Sequence, residues 1–393
     1  MKSTWQIRTL GDISIIECGN SAPQDLTAFQ NGVFPFFRTS DVGKIKKGHI
    51  SSSADSLNDV AIKKLRFFKR HSILFPKSGA SVYLNHRVIM DVDGYVSSHL
   101  AVITPDESTV LPSYLLYYLC TVDSADLMQD NDYPSLKLTQ ISKISVPLPP
   151  LPEQKRIVGI LDAAFEKIDA VQRNAERNLA NAKELFQRVL DEEMTPQEGW
   201  EQKTLKEIGT TVTGQTPPTK DPLNFGKDVP FIKPADIVPF EGINYESEGL
   251  SFQGLKKSRL IKKNSILMVC IGASIGKVGY ATEDVTCNQQ INAVVPARQI
   301  LGKFVFYALS SPVFQMLVVK NAAQATLPII SKAKWESLPI NFPVEIAKQE
   351  SIVCKLDELF EYCNLCSRNY ADLLPKCAEL KRQILAKAFN GEL

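Results

Sequence analysis

Gly272-Ala273-Ser274-Ile275-Gly276-Lys277 has the glycines and the closing lysine of a loop that wraps nucleotide phosphates. It is one residue short of that pattern, and Val278 stands where a Ser or Thr would hold Mg2+, so it predicts no nucleotide site. Glu153-Gln154-Lys155 has the acid-x-lysine spacing of some nucleases. It lacks a suitably placed upstream Pro-Asp and reads better as the start of a helix. The four histidines, His49, His71, His86 and His99, all fall in the first half of the chain, so no chemistry common to both halves can use them. Cys363-Asn364-Leu365-Cys366 has zinc-ligand spacing, yet it lies in a helical pattern with no second Cys pair or nearby His, and core packing is expected. No Asn-Pro-Pro-aromatic or Asp-Pro-Pro-aromatic motif and no glycine-rich S-adenosylmethionine motif occurs, which argues against an autonomous amino-methyltransferase. The sequence therefore predicts no catalytic residue and no metal ligand.

Two basic runs point elsewhere. Residues 63–87 hold seven Lys or Arg and no acid, and residues 256–277 hold six and no acid. A single run of this kind is usually a solvated face. Recurrence at equivalent places, each time followed by Gly-Ala-Ser, favours phosphate neutralisation with counterion release. The candidate DNA-binding residues are Lys63, Lys64, Arg66, Lys69, Arg70, Lys256, Lys257, Arg259, Lys262 and Lys263. They would position the protein, while base reading needs other polar side chains in a groove.

The elements that carry these runs occur twice. A shift of 195 residues aligns Trp5, Leu10, Ile13, Phe36, Arg38 and Asp41 with Trp200, Leu205, Ile208, Phe231, Lys233 and Asp236. A shift of 193 aligns the basic runs and Gly79-Ala80-Ser81 with Gly272-Ala273-Ser274, and the shift then returns to 195 for Gln154, Ile157, Leu161 and Asp162. Such small changes of offset are what loop insertions produce, so the chain is an internal repeat of one unit.

Each unit begins with short β-rich runs (34–38, 72–75, 229–233, 265–271) and helical stretches near 113–120 and 302–309, punctuated by Gly, Pro, Asn and Ser. A proline-dense hinge follows, Val146-Pro147-Leu148-Pro149-Pro150-Leu151-Pro152, with a weaker second version, Leu338-Pro339-Ile340-Asn341-Phe342-Pro343. Proline there is expected to stop any strand ladder and to open a helix. Then comes a heptad: Ile157, Leu161, Ala164, Ile168, Val171, Ala175, Asn178, Ala182, Leu185 and Val189, answered by Ile352, Leu356, Leu359, Cys363, Cys366, Tyr370, Leu373, Cys377, Leu380 and Ile384. A helix over 153–193 would span about 60 Å, and the two helices would pack antiparallel, with Pro375 a place for a kink.

The expected fold is α+β: two tandem mixed α/β domains (1–150 and 196–343) separated by two long antiparallel coiled-coil helices (151–195 and 344–393), related by a pseudo-two-fold repeat. A hydrophobic content of 44% and a net charge of +2 over 393 residues suit a soluble protein of two or three domains. No apolar run approaches the roughly 18 residues of a membrane span, Asp12 interrupts the first apolar stretch, and eight scattered cysteines suit a reducing cytoplasm. No membrane association is expected.

Pro149-Pro150-Leu151-Pro152-Glu153-Gln154-Lys155-Arg156-Ile157-Val158, with Leu161-Asp162 after it, resembles the hinge and helix of type I restriction–modification specificity subunits. Residues 380–393, from Leu380-Lys381-Arg382 to Asn390-Gly391-Glu392-Leu393, resemble that family's closing motif, and the tandem layout covers nearly the whole chain. The second hinge departs from it: the double proline is lost and Lys348 replaces the glutamate, though Gln349 remains. The resemblance implies two target-recognition domains, each reading one half of an asymmetric bipartite site in double-stranded DNA. It implies helices that act as spacer and as dock for two modification (methyltransferase) subunits, with restriction (motor and nuclease) subunits able to join. The docking and spacer residues would include Glu153, Gln154, Ile157, Leu161, Gln349, Ile352 and Leu356. Such a subunit is non-catalytic and holds no cofactor; S-adenosylmethionine, ATP and Mg2+ belong to its partners. Alternatives are the specificity subunit of a type IIB-like restriction enzyme, an autonomous methyltransferase or nuclease, and a coiled-coil scaffold that binds no DNA.

Overall fold

Each proline-rich hinge is a strand before it becomes a helix. In the computed structural model, which describes residues 5–128, 134–323 and 327–393, Ser145–Leu148 pairs antiparallel with Gln6–Thr9, Pro147 lying opposite Ile7. Likewise Pro339–Pro343 pairs with Trp200–Thr204. This corrects the expectation that proline stops the ladder. Both sheets have two strands only, so every strand is an edge, and an edge tolerates a missing N–H that would face away from the partner.

The chain divides into two compact units: residues up to 175 together with 372–393, and residues 176–371. Each unit thus owns one globular segment and one half of each long helix.

In the first unit a five-stranded sheet runs in the order Ser14–Cys18, Leu100–Pro105, Ile73–Pro76, Arg87–Met90, Lys47–Ile50, antiparallel except for the last pair. Side chains alternate faces along a strand. Ile73 and Phe75 pack on Tyr114 and Leu115 of the helix Pro112–Leu119, while Leu74 packs on Phe37, Val88 and Val102 of the opposite side. A three-stranded sheet of Asp55–Leu57, Phe34–Phe37 and Tyr95–Val96 completes the unit.

The second unit repeats this plan. Its four-stranded sheet runs Gly209–Thr213, Ile291–Pro296, Ile266–Val269, Val278–Tyr280, and its three-stranded sheet runs Gly249–Leu250, Phe225–Ile232, Thr286–Cys287. Ile266 and Met268 face a cluster with Phe304, Val305 and the fully buried Trp335, and Leu267 and Val269 face the other side. Cys363 sits in that first cluster and Cys366 is half-buried.

The long helices are Leu151–Met194 and Ile346–Asn390, the second continuing past Pro375. They run antiparallel in each unit. In the first, Arg156 Nη2 donates to the Leu393 carbonyl at 2.7 Å and Lys381 is ion-paired with Asp169. In the second, Asn178 Nδ2 donates to the Tyr370 hydroxyl at 3.2 Å and Lys355 is ion-paired with Glu193.

The heptad seam departs from expectation in places. Ile157, Leu161, Ile168 and Ala175 are buried, but Val171 is 43% and Leu380 46% exposed. Phe186, Leu190 and Met194 in one helix and Leu385, Ala388 and Phe389 in the other are buried instead. Towards these ends the helices pack under the globular segments as well as on each other. A helix lying on a domain core follows the 3.6-residue period of a straight helix, not the 3.5-residue repeat of a two-helix seam. No single helix among the described residues is long and apolar enough to cross a membrane.

Candidate nucleic-acid interface

The basic runs lie on exposed turns that lead into the central strand of each larger sheet. Lys63 and Lys64 end the short turn Ala61–Lys64, and Arg66, Lys69 and Arg70 follow, all exposed. Backbone bonds hold this segment: the Arg66 N–H donates to Asn20 Oδ1 at 2.7 Å, Asn20 Nδ2 donates back to the Arg66 carbonyl at 2.8 Å, and the Arg70 N–H donates to Asp93 at 2.7 Å. In the second unit Lys256, Lys257, Arg259, Lys262 and Lys263 are exposed in the corresponding segment.

Not all of these cations are free. Arg66 pairs with Glu17 at 3.0 Å, Lys262 with Asp284 at 2.7 Å, and Lys257 with Asp221 at 3.2 Å and Asn224 at 2.9 Å. Arg259 Nη1 donates to the Thr213 carbonyl at 3.0 Å. Lys63, Lys64, Lys69, Arg70 and Lys256 have no side-chain partner among the described residues, whereas the charge of Lys263 bears on the Asp284 carboxylate. A cation already paired has less to gain from a phosphate, so these five carry most of the available positive charge of the two runs.

Beside each run lies a three-segment junction that sequence reasoning missed. In the first unit the Gly19 N–H donates to the Leu100 carbonyl (3.1 Å), Asn20 N–H to Val96 (2.6 Å) and Ser97 N–H to Phe37 (2.9 Å). In the second, Gly214 donates to Ile291 (2.9 Å), Gln215 to Cys287 (2.9 Å) and Asn288 to Ile232 (3.1 Å). These three backbone bonds are made in both units, while the Ser98 N–H to Asn20 carbonyl bond of the first (2.7 Å) is replaced in the second by Ser258 Oγ on the Gln215 carbonyl. Glycine permits the shared bonds: a Cβ on Gly19 would stand 2.2 Å from the Ser97 carbonyl oxygen, and one on Gly214 would stand 2.2 Å from that of Asn288. The pairing of Gly19 with Gly214 at the 195-residue shift was the available signal. The side chains on this shared frame differ, Ser97-Ser98-His99 against Asn288-Gln289-Gln290. Each junction is tied to its basic run, through Asn20 and Arg66 in one unit and through Ser258 Oγ donating to the Gln215 carbonyl at 2.6 Å in the other.

Most of the helix residues expected to dock partners face inward. Gln154 and Gln349 are fully buried, as are Leu161 and Leu356, and Ile157 and Ile352 are nearly so. Glu153 is half-buried and bonds Arg156 at 2.7 and 2.8 Å. Next to this helix start, Tyr117 donates to Asp162 at 2.5 Å and Tyr307 to Asp357 at 2.5 Å. Burial, and then the neighbouring carboxylate, push both phenols above their ordinary range.

Residues 2–177 and 197–370 each match the type I restriction modification DNA specificity domain. The chain belongs to this family. It is 24% identical over 393 residues to the type I restriction enzyme HindI specificity subunit of Haemophilus influenzae, across 79% of this chain and 83% of that protein. Among solved structures, a chain from a study of assembly and conformational transition of the type I R-M system is 20% identical with a TM-score of 0.78, covering 100% of this chain and 99% of that one. The HsdS subunit from Thermoanaerobacter tengcongensis is 21% identical with a TM-score of 0.63, covering 100% and 98%. These two likenesses are of fold. Each specificity domain of the chain holds one junction, one basic run and the opening part of one long helix.

Proposed function

We propose that this chain is the DNA sequence-specificity subunit of a type I restriction–modification complex, each specificity domain reading one half of an asymmetric bipartite duplex site. The observation that carries this reading is the pair of junctions: one backbone frame built twice, with different side chains and free cations beside it. Exposed lysines and arginines neutralise phosphates regardless of sequence. Discrimination comes from polar side chains that reach base edges. Two frames with different side chains suit two unlike half-sites.

The long helices act as spacer and as dock for two modification subunits. Because Gln154, Ile157, Leu161, Gln349, Ile352 and Leu356 are turned inward, docking falls to exposed apolar side chains of the helices. Val171 and Leu380 offer such surface in the first unit, and Tyr362 and Leu365 in the second. The chain performs recognition alone; methyl transfer with S-adenosylmethionine, and ATP- and Mg2+-dependent translocation and cleavage, fall to the modification and restriction subunits. A type IIB-like assignment and a scaffold without DNA binding are not favoured by the family match over both halves. Genome-wide mapping of methylated bases in cells with and without this chain tests the proposal. One bipartite motif that vanishes with the chain is expected, and an unchanged methylation pattern overturns the reading.

A further inference from the structure

The two junctions offer different things to a base. In the second unit Gln289 is exposed, and its Oε1 accepts a hydrogen bond from Thr216 Oγ1 at 2.7 Å. That bond holds the end of the side chain in place, and whichever way the amide is turned it leaves at least one N–H donor and one carbonyl lone pair open. A donor and an acceptor side by side match N7 and N6 of adenine in the major groove. The neighbouring amides are already spent. Asn288 Nδ2 donates to Gln290 Oε1 at 2.9 Å, Asn288 Oδ1 accepts the Gln290 N–H at 3.1 Å, and Gln290 Nε2 donates to the Ile271 carbonyl at 3.3 Å.

In the first unit the same place on the frame holds Ser98, a short half-buried hydroxyl that cannot present such a pair. The next residue, His99, has its Nδ1 engaged by Ser78 Oγ at 2.7 Å. The same network joins Gln289 to the basic run, since Ser258, two residues beyond the unpaired Lys256, is bonded to the loop that carries Thr216. Phosphate anchoring and a held amide thus share one short structural unit.

We propose that Gln289, held by Thr216, is a base-reading residue of the second specificity domain and takes an adenine in one half-site, an assignment the first domain does not share. This rests on the chain being a DNA-specificity subunit. Thr216 is a positioning residue, acting through the amide it holds.

The test uses the full chain co-expressed with its modification subunits. Methylation mapping returns the wild-type motif, and binding is measured to a duplex with that motif and to a scrambled duplex at several salt concentrations. Gln289→Ala is expected to weaken motif binding by about 10- to 100-fold and to relax one adenine position in one half-site. Scrambled binding and the salt slope stay as they were. Gln289→Glu, acceptor-only, is expected to shift preference at that position towards cytosine, whose exocyclic amine it can accept. Thr216→Val, which keeps size but removes the holding hydroxyl, is expected to lower discrimination with little change in melting temperature. A Gln289→Ala complex that methylates the same motif with the same affinity overturns the inference and leaves the specificity-subunit reading standing. Equal losses on both duplexes also overturn it, because they mark a loop buttress. A wild-type complex in which the chain directs no methylation strikes the underlying reading instead.

Discussion

The side chain of Gln349 accepts the Leu301 amide hydrogen at 2.8 Å, and Gln154 accepts that of Leu111 at the same distance. Each glutamine also donates to a carbonyl of its own hinge, Pro343 or Pro149, at 2.8 Å. A third bond reaches the loop before the short helix, to Gln299 at 3.3 Å or Thr109 at 3.0 Å. Leu111 and Leu301 are the N-cap residues of Pro112–Leu119 and Gly302–Ser310. One buried amide therefore ties the start of a long helix to the start of a domain helix, and the device is repeated in both units.

Replacing Gln349 with Leu keeps the size and strands one N–H and two carbonyls without water. Loss of stability by about 1–3 kcal/mol is expected, read as an earlier urea transition of the second unit, with the methylated motif unchanged. A transition that does not move would show that solvent reaches the latch.

Lys63 and Lys64 are free, whereas Lys257 and Lys262 are already ion-paired. Lys63→Ala with Lys64→Ala should weaken binding to every duplex and flatten the logarithmic salt dependence by up to about 0.9 for each phosphate no longer neutralised. Lys262→Ala combined with Asp284→Asn should do less, because it removes a pair whose charges already cancel. Fluorescence anisotropy titrations from low to moderate salt measure both, and an unaltered slope in the Lys63, Lys64 variant would remove these residues from the interface.

Tyr117 and Tyr307 titrate well above the ordinary phenol value of 10.0 in the folded chain. The unfolded chain releases those protons first as pH rises past that value, so stability contributed below it is lost above it. Melting temperature is expected to fall from about pH 10 upwards, and the fall should be shallower in the Tyr117→Phe, Tyr307→Phe variant. Parallel melting curves for variant and parent across that window would refute the assignment.

The basic runs, the duplication and the long helices were legible because each is a local or periodic property. Charge density needs no neighbour in space, a repeat is visible by self-comparison, and a heptad states its own period. The latch glutamines were visible as aligned residues, but their inward role was not. A buried Gln and an exposed docking Gln have the same neighbours in sequence and differ only in what the domain brings across.

Sequence alone determined that one unit is built twice and that each copy pairs a mixed α/β segment with a long amphipathic helix, since hydrophobic period and turn residues act within a few positions of the chain. Tertiary structure decided which cations are free, where the helix faces turn from each other to the domain cores, and which side chains stand on the shared junction frame. Those outcomes depend on residues up to some two hundred positions apart, such as Gln202 and Asn341 or Asp169 and Lys381. Contacts of that range arise from the packing of whole elements, and no local pattern encodes them.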